Sequence, residues 1–435
     1  MRYDKRTIAV QWHITDKCQK RCKHCYIGVR PSSEMNLTNV KQILADLIKF
    51  GINNNICYEF YITGGDPLLH SKCYDVLSFF KEAKLSYSIM CNPESINATT
   101  LDQLNKLGVK SIQFSIDGMK NVHDSIRGKG SYDELLRAID QIKATNINIG
   151  LMYTLYESNM NDLIQVMRLA SALQVGRFSF DLGVNIGNAK ENDLKMVSSS
   201  RIIQILNRYI KEKQLIKEKG TNTFFEEKCN LINAIRMAQD IFLCPQEENM
   251  IIFDGCQIGV NSFVIDVNGE VLGCRRVGRA SYCGNLLETG INEIWLKSSY
   301  LNKQRTKVLT KNKCRDCNAR NWCQGCEAYE QAIAAQENQE LQPLCGNLLF
   351  ISNEKEKEIG KEKKHGSALN KFIMLDYEPS LIETLEFRKA YARILLSSDE
   401  QKKLLNNYIE YSQRNNLDIE FGRWLYYLFV NRYKM

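Results

Sequence analysis

Proline is scarce in this chain, 6 residues in 435, which excludes long Pro-rich linkers. No apolar run approaches the ~18 residues that span a bilayer as a helix, so no membrane partner is expected. The opening residues, Met1-Arg2-Tyr3-Asp4-Lys5-Arg6, lead into no apolar h-region and do not read as a secretory signal. Charge of one sign is lacking too. The 58 basic and 50 acidic residues give a net +8, but the excess is spread along the chain and not gathered into the kind of block that binds nucleic acid. There is no internal repeat. These absences together predict a cytoplasmic globular protein of two or three domains. What the chain does have is cysteine, 16 residues. A reducing compartment does not keep disulfides, so dense cysteine there points to metal or redox chemistry.

Up to about residue 220, strand-like and helix-like segments alternate. Strands are expected over 7–14, 57–63, 86–91, 111–116, 148–155 and 177–182. Helical periodicity follows each, over 38–50, 74–84, 98–107, 132–144, 163–173 and 199–213. Six β-α units with short connections predict an α/β fold, a partial (β/α)6 barrel. Chemistry in such folds sits where strands end and loops begin. From about 240 the cysteines cluster, glycine increases and helical periodicity fades. A charged stretch, Glu354-Lys355-Glu356-Lys357-Glu358 to Lys361-Glu362-Lys363-Lys364, precedes a mainly helical, aromatic C-terminal extension. The expected domains are therefore 1–225, the barrel; 226–352, a small Cys-rich unit; and 353–435, the linker and extension.

Directly after the first strand comes Cys18-Gln19-Lys20-Arg21-Cys22-Lys23-His24-Cys25-Tyr26, a C-x3-C-x2-C loop. Three thiolates in one loop can hold three irons of a [4Fe–4S] cube and leave the fourth iron open to another ligand. A structural zinc would want four ligands, with His24 as the fourth, but this spacing matches no zinc knuckle. Further on stand Cys256, Cys274, Cys314, Cys317, Cys323, Cys326 and Cys345. Cys314, Cys317, Cys323 and Cys326 would suffice for one tetrahedral zinc, but the gap between the pairs is short and the remaining cysteines would be left over. Cys57, Cys73 and Cys91 lie within or beside strands and helices and read as small buried hydrophobes.

The first cysteine loop, with its aromatic Tyr26, resembles the signature of the radical S-adenosylmethionine (SAM) superfamily. The resemblance implies that Cys18, Cys22 and Cys25 hold a cluster whose open iron chelates SAM, and that reductive cleavage releases a 5′-deoxyadenosyl radical. It also implies roles for other residues. Gly64-Gly65-Asp66-Pro67, at the end of the second strand, resembles the Gly-Gly-Glu-Pro motif that binds the methionine amino group, with Asp66 in place of the commoner Glu. Ser115, Asp117 and Arg127 would contact the ribose and methionine, Arg127 pairing with the carboxylate. Thr154, Asn185 and Gly187 sit where adenine and ribose contacts are expected.

The second cysteine set resembles the SPASM domain, which carries two auxiliary [4Fe–4S] clusters. One departure is that the Cys323–Cys326 spacing is a residue shorter than the family's. By resemblance Cys314, Cys317, Cys323 and Cys345 would hold the outer cluster, and Cys256, Cys274 and Cys326 the inner one. Its fourth ligand would be Cys244, less favourably Cys283, or a substrate thiolate on an open iron. Enzymes with this domain mostly modify peptides. The resemblance therefore implies a maturase that installs a thioether or related crosslink in a Cys-containing precursor peptide, fed by a flavodoxin- or ferredoxin-type reductant. Formylglycine formation, as in sulfatase maturation, is the alternative; a non-enzymatic electron carrier or zinc-stabilised binding protein is the alternative of another class. Cys18 comes too early for the N-terminal winged-helix module through which such maturases bind leader peptides. Leader binding is expected from residues 366–435 or from a separate protein.

Overall fold

A computed structural model describes residues 6–28, 32–54, 56–228, 256–310 and 325–334. The parallel strands are β1 Arg6–Thr15, β2 Ile56–Gly64, β3 Ser86–Met90, β4 Ser111–Ser115, β5 Asn148–Leu155, β6 Arg177–Leu182 and β7 Phe224–Glu227. Between them run α1 Leu37–Asn53, α2 Cys73–Glu82, α3 Ala98–Leu107, α4 Lys120–Arg127, α5 Ser131–Lys143, α6 Leu163–Ala172, α7 Asn188–Glu191 and α8 Ser199–Glu218. The six expected β-α units are all present. β7 extends the row by one strand beyond them, and α4 and α7 are helices where loops were expected.

The reason these segments are strands shows in their two faces. Along β1, Ile8, Val10, Trp12 and Ile14 are buried under the helices, as are Tyr58, Phe60 and Ile62 of β2 and Phe178 and Phe180 of β6. The alternate positions carry Gln11, Glu59, Tyr61, Gln113, Ser115, Ser179 and Asp181, which a two-residue period places on the opposite, inner face. The helices answer with matching apolar stripes: α1 buries Val40, Ile43, Leu44 and Leu47, each worth roughly 1.5–3 kcal/mol when fully removed from water. Local signals set their ends. Asn36 and Asn97 cap α1 and α3 by accepting from the amides of Asn39 and Thr100, and Gly108 ends α3 at φ +80°. The sheet curves into a partial barrel. Tyr61 on β2 is flanked electrostatically by Arg177 of β6 and Glu226 of β7, strands several places away in the sheet, so these side chains meet across a lumen.

The Cys-rich segment does not stand apart from this sheet. β8 Ser262–Ile265 pairs parallel with β1 on the side away from β2. β9 Glu270–Leu272 and β10 Tyr282–Asn285 continue it antiparallel, giving one ten-stranded order, β10-β9-β8-β1 through β7. Helical structure persists here, in α9 Ile291–Lys297, α10 Ser299–Thr310 and α11 Glu327–Ala334. The fading periodicity reflects their shortness, since α9 needs only Ile291, Ile294 and Trp295 to seat itself, with Trp295 against Phe263 of β8 at 5.8 Å. Asp46 of α1 accepts from the amide of Ile291 at 2.6 Å and ties α9 to the barrel. Cys244, Cys314, Cys317, Cys323 and Cys345, the charged linker and the C-terminal extension lie outside the described residues.

Candidate functional site

The loop bearing Cys18, Cys22 and Cys25 leaves β1 at the C-terminal ends of the parallel strands, the end at which such sheets carry their sites. Two glycine contacts fix its path. At Gly65 an added Cβ would sit 2.6 Å from the Lys17 carbonyl carbon and 2.7 Å from the Asp16 oxygen, and at Gly64 it would drive into the Thr15 carbonyl. The strand ends are zipped there: Gly65 N–H donates to Thr15 O at 2.8 Å and Asp66 N–H to Lys17 O at 2.7 Å. On the other side Gly187, at φ +53°, lets the backbone before α7 close on the loop; a Cβ would lie 2.7 Å from Tyr26 O. Asn188 then donates its backbone N–H to Cys25 O at 2.9 Å and its side chain to Cys22 O at 3.1 Å.

Two buried carboxylates organise the surroundings. Asp66 accepts from Gln19 at 2.9 Å, Ser95 at 2.6 Å and the amides of Leu68 and Asn92. Burial pushes its carboxyl up against the opposing pull of these hydrogen bonds. Asp117, wholly buried, accepts from Arg127 and from the Thr154 amide at 3.2 Å, and meets His24 Nε2 at 2.8 Å. Burial alone would raise Asp117; the Arg127 guanidinium and His24 reverse that and hold it well below the usual carboxylate range. Asn159 fixes the backbone, donating to Asp117 O and Thr154 O. His24 is more than a loop residue: its ring stacks on Tyr156 at 6.1 Å. Arg127, expected opposite a cofactor carboxylate, here spends its Nε on Asp117 and turns Nη1 to Cys22 Sγ at 3.7 Å. Burial pushes the Cys18 and Cys22 thiols up, with Arg127 opposing this at Cys22.

Other predicted residues among those described fall around the same end of the barrel. Tyr26 accepts from Gln11 at 3.4 Å and has its phenol pushed up to about 12 by burial. Its electrostatic neighbours include both Cys25 and Cys274. Cys274 shares Tyr300 with Cys256 and lies beside Cys326, so three of the predicted auxiliary cysteines gather on one side. Arg276 reaches from among them to Asp181 at 3.2 Å and to Leu182 O, at the end of β6. Cys283 faces elsewhere, its thiol donating to Ser281 O at 3.2 Å. Sequence reasoning missed Asn92, which donates to Cys18 Sγ at 3.4 Å, and Asn188; neither has a motif around it, Asn92 lying just after β3 and Asn188 opening the single turn of α7.

Comparison with known proteins now adds the family. The radical SAM superfamily model matches residues 12–170, and the iron–sulfur cluster-binding SPASM domain model matches residues 256–318. The chain is a radical SAM enzyme with a SPASM domain. It is similar to the AdoMet-dependent heme synthase of Oleidesulfovibrio alaskensis, 23% identical over 77% of this chain and 86% of that one. It is likewise similar to the sporulation killing factor maturation protein SkfB of Bacillus subtilis, 23% identical over 62% and 60%. The fold matches Streptococcus suis SuiB bound to its precursor peptide SuiA, with a TM-score of 0.61 and 16% identity over 78% of this chain and 75% of that one.

A radical SAM enzyme of this type works with [4Fe–4S] clusters and SAM, and the residues present suit both. A cube binds each thiolate to a different iron, so its ligands need not converge on one point. Among the described residues no group of His, Cys, Asp or Glu is arranged around a single metal ion. Buried Asn185 Oδ1 and Asn188 Oδ1 have no hydrogen-bond partner, an arrangement that a donor-bearing ligand would complete. No helix of the described residues is long and apolar enough to cross a membrane.

Proposed function

We propose that this radical SAM enzyme is a peptide maturase that installs a thioether, Cys sulfur to carbon, or a related crosslink in a precursor peptide. In this reading Cys18, Cys22 and Cys25 hold the cluster at which SAM is cleaved. Cys256, Cys274 and Cys326 belong to the inner auxiliary cluster, and Cys314, Cys317, Cys323 and Cys345 to the outer one. Ser115, Thr154, Asn185 and Gly187 line the SAM pocket. When bound, these groups supply a 5′-deoxyadenosyl radical and an electron acceptor. Forming the C–S bond would take one hydrogen atom from a peptide carbon and the proton from the thiol, and the electron left over would need the acceptor that the clusters held by the Cys256 and Cys314 sets would supply. The product is two hydrogens lighter than the peptide.

The observation that carries this reading is the charge balance of the barrel lumen. Among the described residues, basic side chains there already face carboxylates: Arg177 meets Glu226 at 3.8 Å, Arg276 meets Asp181, and Lys228 has Glu226 and Asp181 beside it. A polar, charge-compensated interior suits a neutral peptide backbone. A tetrapyrrole with several carboxylates would want unpaired cations. Action on a tetrapyrrole is nonetheless the second reading, because the heme synthase match covers more of this chain than the SkfB match does. Anaerobically reconstituted enzyme, SAM and dithionite, incubated separately with Cys-containing precursor peptides and with a propionate-bearing tetrapyrrole, separate the two. A peptide product two hydrogens lighter, crosslinked and no longer alkylated at cysteine, supports the proposal. Loss of two hydrogens at a serine without a crosslink, or loss of two hydrogens with sulfur exchanged for oxygen at a cysteine, indicates formylglycine-type oxidation, and turnover of the tetrapyrrole alone refutes the peptide reading.

A further inference from the structure

Two of the three sulfurs in the first loop receive an N–H donor from a side chain far away in sequence, and each donor is aimed by a buried carboxylate. Asn92, just after β3, directs Nδ2 at Cys18 Sγ at 3.4 Å and at Gln19 Oε1 at 3.1 Å. The amide nitrogen, with two hydrogens and two acceptors, is thereby fully used, and the carboxamide orientation is fixed. Gln19 is in turn held by Asp66 at 2.9 Å and Ser95 at 3.0 Å, while Asp66 also takes the Asn92 backbone N–H. On the other side Arg127 directs Nη1 at Cys22 Sγ at 3.7 Å, with its Nε on Asp117. Sulfur is a large acceptor, and these are ordinary lengths for it. The Lys20 amide adds a second donor to Cys18 at 3.4 Å.

We infer that Asn92 and Arg127 are positioning donors that raise the reduction potential of the cluster held by Cys18, Cys22 and Cys25, with Asp66 and Asp117 serving to aim them. The inference rests on the cluster assignment proposed above. Reduction adds negative charge that spreads onto the thiolate sulfurs, and an N–H dipole or guanidinium pointed at such a sulfur stabilises the reduced form more than the oxidised one. Hydrogen bonds to the sulfurs are among the factors that set iron–sulfur potentials. Cys22 is buried and Arg127 nearly so, and the poor screening there strengthens the effect. Such donors bring the cluster within reach of a flavodoxin- or ferredoxin-type reductant.

Asn92 is the better site to test, because removing it leaves no buried charge without its partner. The full chain is reconstituted and titrated electrochemically without SAM, with paramagnetic resonance as the readout. The relevant signal is the one lost in a Cys18/Cys22/Cys25→Ala triple variant. Asn92→Leu keeps the shape and removes the donor. At the potential where the unaltered cluster is half reduced, its reduced-to-oxidised ratio should fall about ten-fold, equivalent to ~59 mV for one electron. Asn92→Asp should fall at least as far, and the remaining signals should not move. Gln19→Leu, which releases Asn92 without altering it, should shift in the same direction by less, and it decides the matter if the Asn92 variants lose iron. An unchanged midpoint in iron-replete Asn92→Leu, or in Gln19→Leu where the former does not load, overturns the inference. Retention of every signal in the triple variant would instead overturn the cluster assignment itself.

Discussion

Replacing Gly65 with alanine separates two explanations of the Gly-Gly-Asp-Pro segment. A family resemblance makes its glycines a cradle for a cofactor, whereas the structure packs them on the chain's own backbone. The methyl group added at position 65 would lie 2.6 Å from the Lys17 carbonyl carbon and 2.7 Å from the Asp16 oxygen. Neither atom can rotate aside, so the 16–18 loop must shift by the better part of an ångström. That movement strains two hydrogen bonds, Gly65 N–H to Thr15 O and Asp66 N–H to Lys17 O, each worth ~1 kcal/mol net. Overpacking adds ~1–3 kcal/mol. The expected loss is therefore ~3–5 kcal/mol of local stability, with Cys18 displaced beside it. Iron per chain, thermal unfolding and SAM affinity would be measured on the same Gly65→Ala preparation. A lower unfolding temperature and reduced iron in the first cluster are expected. Full iron and unchanged unfolding together with weakened SAM binding would refute the packing argument and restore the cradle.

Asp117→Asn breaks the buried pairing with Arg127 and His24 and should cost ~3–5 kcal/mol, read by chemical unfolding; a cost below ~1 kcal/mol would mean that the Arg127 pairing contributes little. His123 is buried, accepts the Asp117 N–H at 3.2 Å, and has its pKa lowered from 6.5 to about 4 by burial. Its folded value lies below its unfolded one, so it leaves stability intact above pH 6.5 and removes ~3 kcal/mol as pH falls from there through about 4. His123→Asn, whose Oδ1 can take the same amide, should flatten that part of the pH–stability curve. Cys283→Ser should leave iron content unchanged, since the thiol already donates to Ser281 O, whereas Cys274→Ser should remove about four irons per chain. A loss of iron in Cys283→Ser would make it a ligand.

The barrel could be read from the sequence because its signal is periodic and repeated. Ile8, Val10, Trp12 and Ile14, like Val40, Ile43, Leu44 and Leu47, announce which face is buried without knowing what covers it. The elements that escaped are short or weakly patterned. α4 buries only His123 and Ile126, α7 is a single turn, and β7 spans four residues with two glutamates. The cysteine loop could be found because its three cysteines are close in sequence. The partners of those cysteines are not: Asn92 lies 74 positions from Cys18 and Asp117 lies 93 from His24. No local pattern encodes such a pairing. Gly64, Gly65 and Gly187 could be singled out by resemblance as cofactor contacts, but not the stretches of the chain's own backbone that they approach.

That last distinction bears on how the polar residues around the first loop divide their work. A carboxylate packed inside the strand ends is a poor contact for the anionic end of an amino-acid cofactor, because like charges in a weakly screening interior repel strongly. Asp117 is instead consumed by donors on both oxygens: the Thr154 amide on Oδ1, and Arg127 and His24 on Oδ2. Asp66 is consumed likewise by Gln19, Ser95, Leu68 and Asn92. Both therefore act through other residues, with Arg127 and Asn92 as the groups they present to sulfur. The open acceptors, Asn185 Oδ1 and Asn188 Oδ1, belong to the segment that follows β6. A ligand that donates hydrogen bonds, as the adenine amine or the methionine ammonium of SAM does, would meet those acceptors without competing with either carboxylate. Cluster tuning and cofactor binding then rest on separate groups, so Asn92 substitutions should move the potential while leaving SAM affinity in place, and Asn185→Ala should do the reverse.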